Sequence, residues 1–265
     1  MNLENLIVDH AKEETRPQYA LCDTIDPEER LEDAVMALAL HRASGGNIAL
    51  TKNKDDAMWG RNSKPYADED WVRGAYFETD VFKDHARREF LLTDLEGAED
   101  FARGRQRWFI KSMRPKWTRL CEGDFAQAMD AMVYSFCDRK ACLLVQDAVK
   151  VERETRVFVI DRSIVTHGKI EPWRTPIDHH VSGLPQSLYD VAADFAERFP
   201  SKMFAVDVAF LDGEPGCVEV NPFVPGKTGL YDCDVLSLAQ AAWTALQPLV
   251  SGEAINLTSI EGKRI

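Results

Sequence analysis

Cysteine is scarce and poorly spaced for redox or metal chemistry. Six cysteines are scattered at positions 22, 121, 137, 142, 217 and 233, and none forms a C-x-x-C pair. That argues against a disulfide framework and a zinc site, and it predicts reduced thiols in a cytoplasmic setting. Histidine adds little. The adjacent pair His179-His180 would point to opposite faces of an extended chain, so joint metal ligation is not expected. Long apolar runs are also missing, and none approaches the roughly 18 residues of a membrane helix. Residues 1–11 carry acids and no apolar stretch, so no secretory leader is expected. Internal repeats and low-complexity segments are lacking, which excludes a repeat architecture. Positive charge is in deficit: 32 Lys and Arg against 44 Asp and Glu give a net charge of −12, which weighs against general nucleic-acid binding.

What is present fits a globular chain. Its 265 residues, 45% of them hydrophobic, suffice for about two domains. The most informative stretch runs from Val206-Asp207-Val208 to Val218-Glu219-Val220-Asn221-Pro222. It reads as two strands joined through a turn at residues 212–216. Alternation places Glu219 and Asn221 on one face, where Asp207 of the partner strand can meet them. Two carboxylates and an amide oxygen are hard ligands suited to Mg²⁺ carrying nucleotide phosphates. A hairpin whose polar face meets solvent accounts for the same pattern.

Upstream, Arg103, Arg105, Arg107, Lys111, Arg114, Lys116 and Arg119 crowd a segment with no Asp or Glu between residues 101 and 121. Residues 107–111 read as a strand ending in Lys111, and residues 112–116 as a loop, because Pro115 cannot donate to a sheet. A lysine at a strand end beside a basic loop suits a phosphate clamp. A solvated basic patch or a local nucleic-acid surface are the alternatives. Residues 141–146 then read as an apolar strand, and residues 154–160 as another. On the latter, Glu154 and Arg156 share a face with Phe158 and Ile160. Charges on a half-buried face need partners, either each other or a charged ligand.

Elsewhere the pattern predicts strands at 19–22 and 47–52, and a helix opened by Asp26 and Pro27 with Leu31, Val35, Leu38 and Leu40 along it. A polar loop over 52–70 holds Trp59, Arg61 and Lys64, and another strand is expected within 71–82. Helices are expected over 125–136, 185–199 and 233–249, the second burying Leu188, Val191, Ala192, Phe195 and Phe199. Residues 164–165 should pair back on the 154–160 strand. Residues 167–183 read as a long functional loop, and 251–265 as a surface tail.

The ordered set of a Lys-ended strand, an apolar strand with a polar end, E-x-R-V-F-V and D…E-x-N resembles the ATP-grasp superfamily over about residues 101–250. The compact spacing and extra basic residues look most like the clade named for one arginine and two lysines. That clade is related to the eukaryotic cell-division-cycle proteins that assist assembly of a translation initiation factor. The resemblance implies an α+β fold of two lobes gripping ATP. It also implies a pre-ATP-grasp-like α/β domain over 1–100 and an ATP-grasp domain over 101–265, with a small lobe of about 101–146, a large lobe of about 147–250 and a C-terminal tail. It implies that Lys111 binds phosphate, that Gln146, Asp147, Ala148 and Val149 form the hinge holding adenine, and that Glu154 takes the ribose hydroxyls. Arg156 would meet the transferred phosphate, Lys116 would be the second lysine, and Asp207, Glu219 and Asn221 would hold Mg²⁺. The implied activity is ATP-dependent joining of a carboxylate to an amine through an acyl phosphate, on small molecules, peptides or a protein target, with no membrane or nucleic-acid partner. An ATP-binding assembly or regulatory protein with little turnover, or a small-molecule kinase, are the alternatives. The loop after Lys111 departs from the pattern of many relatives: it has no glycine, and Arg114 and Lys116 offer charge where others use a Gly-rich phosphate cover. The 167–183 segment suits a lid, with Arg174 available to a substrate carboxylate.

Overall fold

The computed structural model describes residues 16–21, 27–52, 57–60, 75–112, 117–123, 125–134, 142–170, 183–226 and 228–251. At the N-terminal end, β1 (Gln18–Ala20) and β2 (Ala49–Thr51) pair in parallel, linked by α1 (Pro27–Ala43). The inward face of α1 differs in part from the expected stripe. Leu40 is buried as expected, but Met36 and Ala37 join it, while Leu31 and Val35 are exposed. The helix turns inward on Asp33, whose carboxylate accepts the Tyr19 hydroxyl at 2.7 Å, so a satisfied polar contact sets the rotation. Trp59, expected on a surface loop, is buried and bridges to Tyr19. Arg61 and Lys64 lie outside the described residues.

Instead of a strand within 71–82, the described part holds a 3₁₀ turn (Ala75–Glu78) and α2 (Asp80–His85). Thr79 caps α2 by accepting from the Phe82 amide, and Asp80 meets the positive end of the helix. Tyr76, Phe77 and Phe82 bury together beside it.

Two four-stranded antiparallel sheets carry the rest. The first has the order β3-β6-β4-β5, from β3 (Phe90–Thr93), β4 (Arg107–Ser112), β5 (Trp117–Glu122) and β6 (Leu143–Asp147). Helices α3 (Leu95–Ala102) and α4 (Ala126–Tyr134) cover its Trp108, Ile110, Leu143 and Val145 face. The second has the order β10-β9-β7-β8, from β7 (Val151–Ile160), β8 (Ser163–Lys169), β9 (Met203–Leu211) and β10 (Glu214–Pro222).

The second sheet is buried on both sides. Its Val157, Val159, Val206 and Val208 pack on α5 (Gln186–Arg198), whose five expected core residues are all buried. Phe158, Ile160 and Ala205 pack on the other side with α1 and α6 (Val235–Val250). Each large apolar side chain so buried contributes roughly 1.5–3 kcal/mol. The half-buried strand expected at 154–160 is therefore a central one, because helices from both ends of the chain close over its second face.

Both hairpins of this sheet turn on left-handed pairs: Asp161 and Arg162 at φ 48° and 63°, and Asp212 and Gly213 at 50° and 90°. The second turn is shorter than expected, since residues 214–216 already belong to β10. Pro215 is tolerated there because β10 is an edge strand. The start of the expected 167–183 loop is likewise strand, as β8 runs to Lys169. Its residues 171–182, including Arg174, lie outside the described residues. Among the described residues no helix is long and apolar enough to cross a membrane.

Candidate active site

Three neighbouring strands place a row of charge across the second sheet. Arg156 on β7 lies opposite Asp207 on β9, and Asp207 lies opposite Glu219 on β10. Residues directly opposite share a face, so the three side chains converge without help from any loop. The Arg156 guanidinium grips Asp207 with two bonds, Nε to Oδ1 at 2.8 Å and Nη2 to Oδ2 at 2.7 Å. Asn221, one pleat beyond Glu219, donates Nδ2 to Asp207 Oδ2 at 3.4 Å. From the other sheet, Lys111 Nζ reaches Glu219 Oε1 at 2.6 Å. The residues that the sequence proposes for metal and for phosphate thus meet, with Asp207 in the middle of β9.

These charges are buried: Arg156 is 9% exposed, Lys111 7% and Asp207 2%. Burial disfavours ionisation, so each must be compensated by its neighbour. Burial opposes the Arg156 charge, but the bond to Asp207 and that carboxylate's field outweigh it and raise the Arg156 pKa. Burial pushes the Asp207 carboxyl up, and the bond and field of the guanidinium pull it back only in part, so its pKa stays raised. Glu154 has less help. Burial first, then the fields of Asp207 and Glu219, raise its pKa to about 7 despite Arg156.

Between the two sheets lies a cavity of about 630 Å³. Phe109, Leu120, Leu144 and Val151 give it apolar walls, and residues 146–149 line its rim. Lys111 and Glu219 line it as well. An apolar slot bordered by a cation and a carboxylate suits a planar base joined to a polyanion. Arg156, Asp207, Asn221 and Glu154 do not line this cavity; Arg156 and Asp207 follow Glu219 along the row. In the 146–149 segment two side chains are engaged: the Asp147 carboxylate accepts from Arg105 and from the Glu89 amide, and Gln146 Oε1 accepts from Arg88. Lys116 and Arg114 lie outside the described residues.

The basic segment is mostly neutralised. Arg103 pairs with Asp100, Arg105 with Glu89 and Asp147, and Arg107 with Glu122. Other contributors left no local trace in sequence. The Tyr231 ring lies 5.0 Å from the Arg156 guanidinium, on a left-handed residue whose amide donates to Glu32 of α1 at 3.1 Å.

A family model matches residues 85–241: the ATP-grasp domain, family 2 of the clade named for one arginine and two lysines. The chain belongs to that family. Solved ATP-grasp-type structures share its fold. The RimK domain protein ATP-grasp from Sphaerobacter thermophilus DSM 20745 superposes with a TM-score of 0.58 at 15% identity, covering 86% of this chain and 98% of that one. D-alanyl-alanine synthetase A from Vibrio cholerae O1 biovar eltor str. N16961 gives 0.56 at 13%, covering 90% and 98%. D-alanine–D-alanine ligase from Bacillus anthracis complexed with ATP gives 0.52 at 12%, covering 91% and 100%. At such identities the likeness concerns the fold. No curated protein matches the chain.

In this ATP-grasp chain the donor set fits a hard divalent cation. Two facing carboxylates and an amide suit Mg²⁺, which takes one or two carboxylates and completes its shell with phosphate oxygens and water. Among the described residues no group of three or more His, Cys, Asp and Glu could hold a metal by itself, so the protein's share of such a shell would be partial.

Proposed function

We propose that this protein is an ATP- and Mg²⁺-dependent ligase that joins a carboxylate to an amine through an acyl phosphate. One arrangement supports the reading above all. An apolar cavity meets Lys111 and Glu219, and the Arg156–Asp207 pair continues the row. ATP would supply the phosphoryl group that activates the carboxylate, with Mg²⁺ screening the phosphates.

In this reading, residues 146–149, which line the cavity, hold the base, and Glu154, outside its lining, takes the ribose hydroxyls. Lys111 exchanges Glu219 for phosphate oxygens, which frees Glu219 to join Asp207 and Asn221 as an oxygen donor. Arg156 stays charged and orients the transferred group, and Lys116, between β4 and β5 in sequence, adds a second cation. The apolar walls limit water, which an acyl phosphate requires. The positive field at Arg156 favours a carboxylate over a neutral hydroxyl, and small-molecule or peptide acids are the acceptor class. The division into an N-terminal pre-ATP-grasp-like unit and an ATP-grasp unit belongs to the same reading, with β3 and α3 assigned to the second because β3 pairs with β6. The free thiols of Cys121, Cys217 and Cys233 support a reducing, cytoplasmic setting.

The test supplies ATP, Mg²⁺ and a panel of amino acids and peptides without an added amine. Hydroxylamine should trap an acyl phosphate as a hydroxamate, with stoichiometric ADP. A stable phosphorylated alcohol would establish a kinase instead. ATP binding without turnover, together with a stable protein partner, would establish an assembly factor.

A further inference from the structure

Arg88 lies in the short connection between α2 and β3. Its guanidinium makes four hydrogen bonds, all to neutral acceptors. Nε donates to Gln146 Oε1 at 2.9 Å, Nη1 to the Ala86 and Cys217 carbonyls at 2.7 and 2.8 Å, and Nη2 to the Val218 carbonyl at 2.8 Å. Burial lowers its pKa from the ordinary arginine range, so charge alone does not explain its presence.

The acceptors explain it. Among the described residues β10 pairs only with β9, so its outer carbonyls lack ladder partners. The β9–β10 register slips between Cys217 and Glu219, which makes Val218 the extra residue of a bulge. Bulges re-aim the side chains that follow them, and here the next side chain is Glu219. Arg88 holds the carbonyls of both Cys217 and Val218, while Arg87 Nε holds that of Pro215 at 3.0 Å. Contact with the edge is direct, since a Cβ on Gly216 would come within 2.7 Å of the His85 carbonyl. The remaining arm of the fork holds Gln146 at the end of β6. Val218 and Gln146 both line the cavity, so one guanidinium ties two of its walls together.

We propose that Arg88 is a positioning residue that fixes the Glu219 bulge against the end of β6, and so sets the metal-facing carboxylate relative to the nucleotide slot. This rests on the reading that the site takes a nucleotide with Mg²⁺. A lysine cannot replace it, because a single ammonium cannot serve four acceptors spread around a planar fork.

The experiment titrates ADP by calorimetry in EDTA and across a Mg²⁺ series, on wild type, Arg88→Lys, Gln146→Ala and Arg87→Ala. Arg88→Lys should shift the Mg²⁺ midpoint upward by about tenfold or more, with a smaller change in EDTA, as loss of a supporting contact behind a metal ligand does. Gln146→Ala should shift it in the same direction by less. Arg87→Ala, which touches β10 away from the bulge, should leave it unchanged. An unchanged midpoint in a folded Arg88→Lys overturns the inference, and so does an equal loss with and without Mg²⁺. If Arg88→Lys does not fold, an unchanged midpoint in Gln146→Ala overturns it. Wild type that binds no ADP in Mg²⁺ overturns the nucleotide reading itself, and the inference with it.

Discussion

Two ion pairs meet at the candidate active site, and they are built differently. Arg156 and Asp207 stand on adjacent strands of one sheet, joined by two bonds and nearly free of solvent. Lys111 and Glu219 stand on different sheets, joined by one bond, with the Glu219 side chain 26% exposed at the cavity. The first pair is held by strand register, and breaking it strands a charge in the core. The second spans a seam, and either member can find a new partner there. Pairs of similar length are therefore held differently: one by strand register within a sheet, the other across a seam between sheets.

The largest effect should come from Asp207→Asn, which leaves the Arg156 guanidinium buried without its carboxylate. Losing one member of a buried pair costs about 3–5 kcal/mol, read by chemical denaturation. A loss below about 1 kcal/mol, the range of an exposed pair, would erase the distinction between the two pairs.

Next comes Glu154, measured in EDTA. Its carboxyl is raised from 4.5 to about 7, so the folded state keeps its proton longer than the unfolded state. Stability should be full below pH 4.5, fall as pH rises to about 7, and level off above. The drop is about 3 kcal/mol by the usual conversion of pKa to free energy. Glu154→Gln should flatten that slope and stabilise the protein at pH 8. An unchanged slope in the variant would assign the pH dependence to another group.

For the exchangeable pair, Lys111→Ala should weaken ADP binding in Mg²⁺ by roughly ten- to a hundredfold, about 1.5–3 kcal/mol. Equal ADP affinity in the folded variant would remove Lys111 from phosphate binding. Glu219→Gln should cost about 1–3 kcal/mol of folding, less than Asp207→Asn, because the amide oxygen still accepts from the buried Lys111 Nζ, while Mg²⁺ no longer tightens ADP binding. A folding loss as large as that of Asp207→Asn would make both pairs scaffold.

Much of this site was legible because strand periodicity is local. The spacing of Glu219 and Asn221, the Lys111 strand end and the Glu154–Arg156 alternation each follow from a repeat of two along a strand. Helix α5 was legible for the same kind of reason, its buried stripe recurring at helical spacing. The rotation of α1 was not, because Leu31 and Val35 fit a stripe as well as Met36 and Leu40 do. Tyr19, 14 residues from Asp33 in the chain but bonded to it in the fold, decided between them. The expected strand near residue 80 failed because an aromatic cluster and a threonine cap favour a helix over a locally plausible strand.

The sequence by itself determined which charged side chains share a strand face, since alternation needs no knowledge of the neighbours. It also determined the family, through the order of short motifs. Only the tertiary structure decided which charges pair. Lys111 and Glu219 are 108 residues apart, and Arg156 and Asp207 are 51 apart. It alone revealed Arg88, whose acceptors are backbone carbonyls and a distant amide. A hydrogen bond to a backbone carbonyl leaves no mark on the side chain of the residue that offers it, so no pattern in the chain could have announced it.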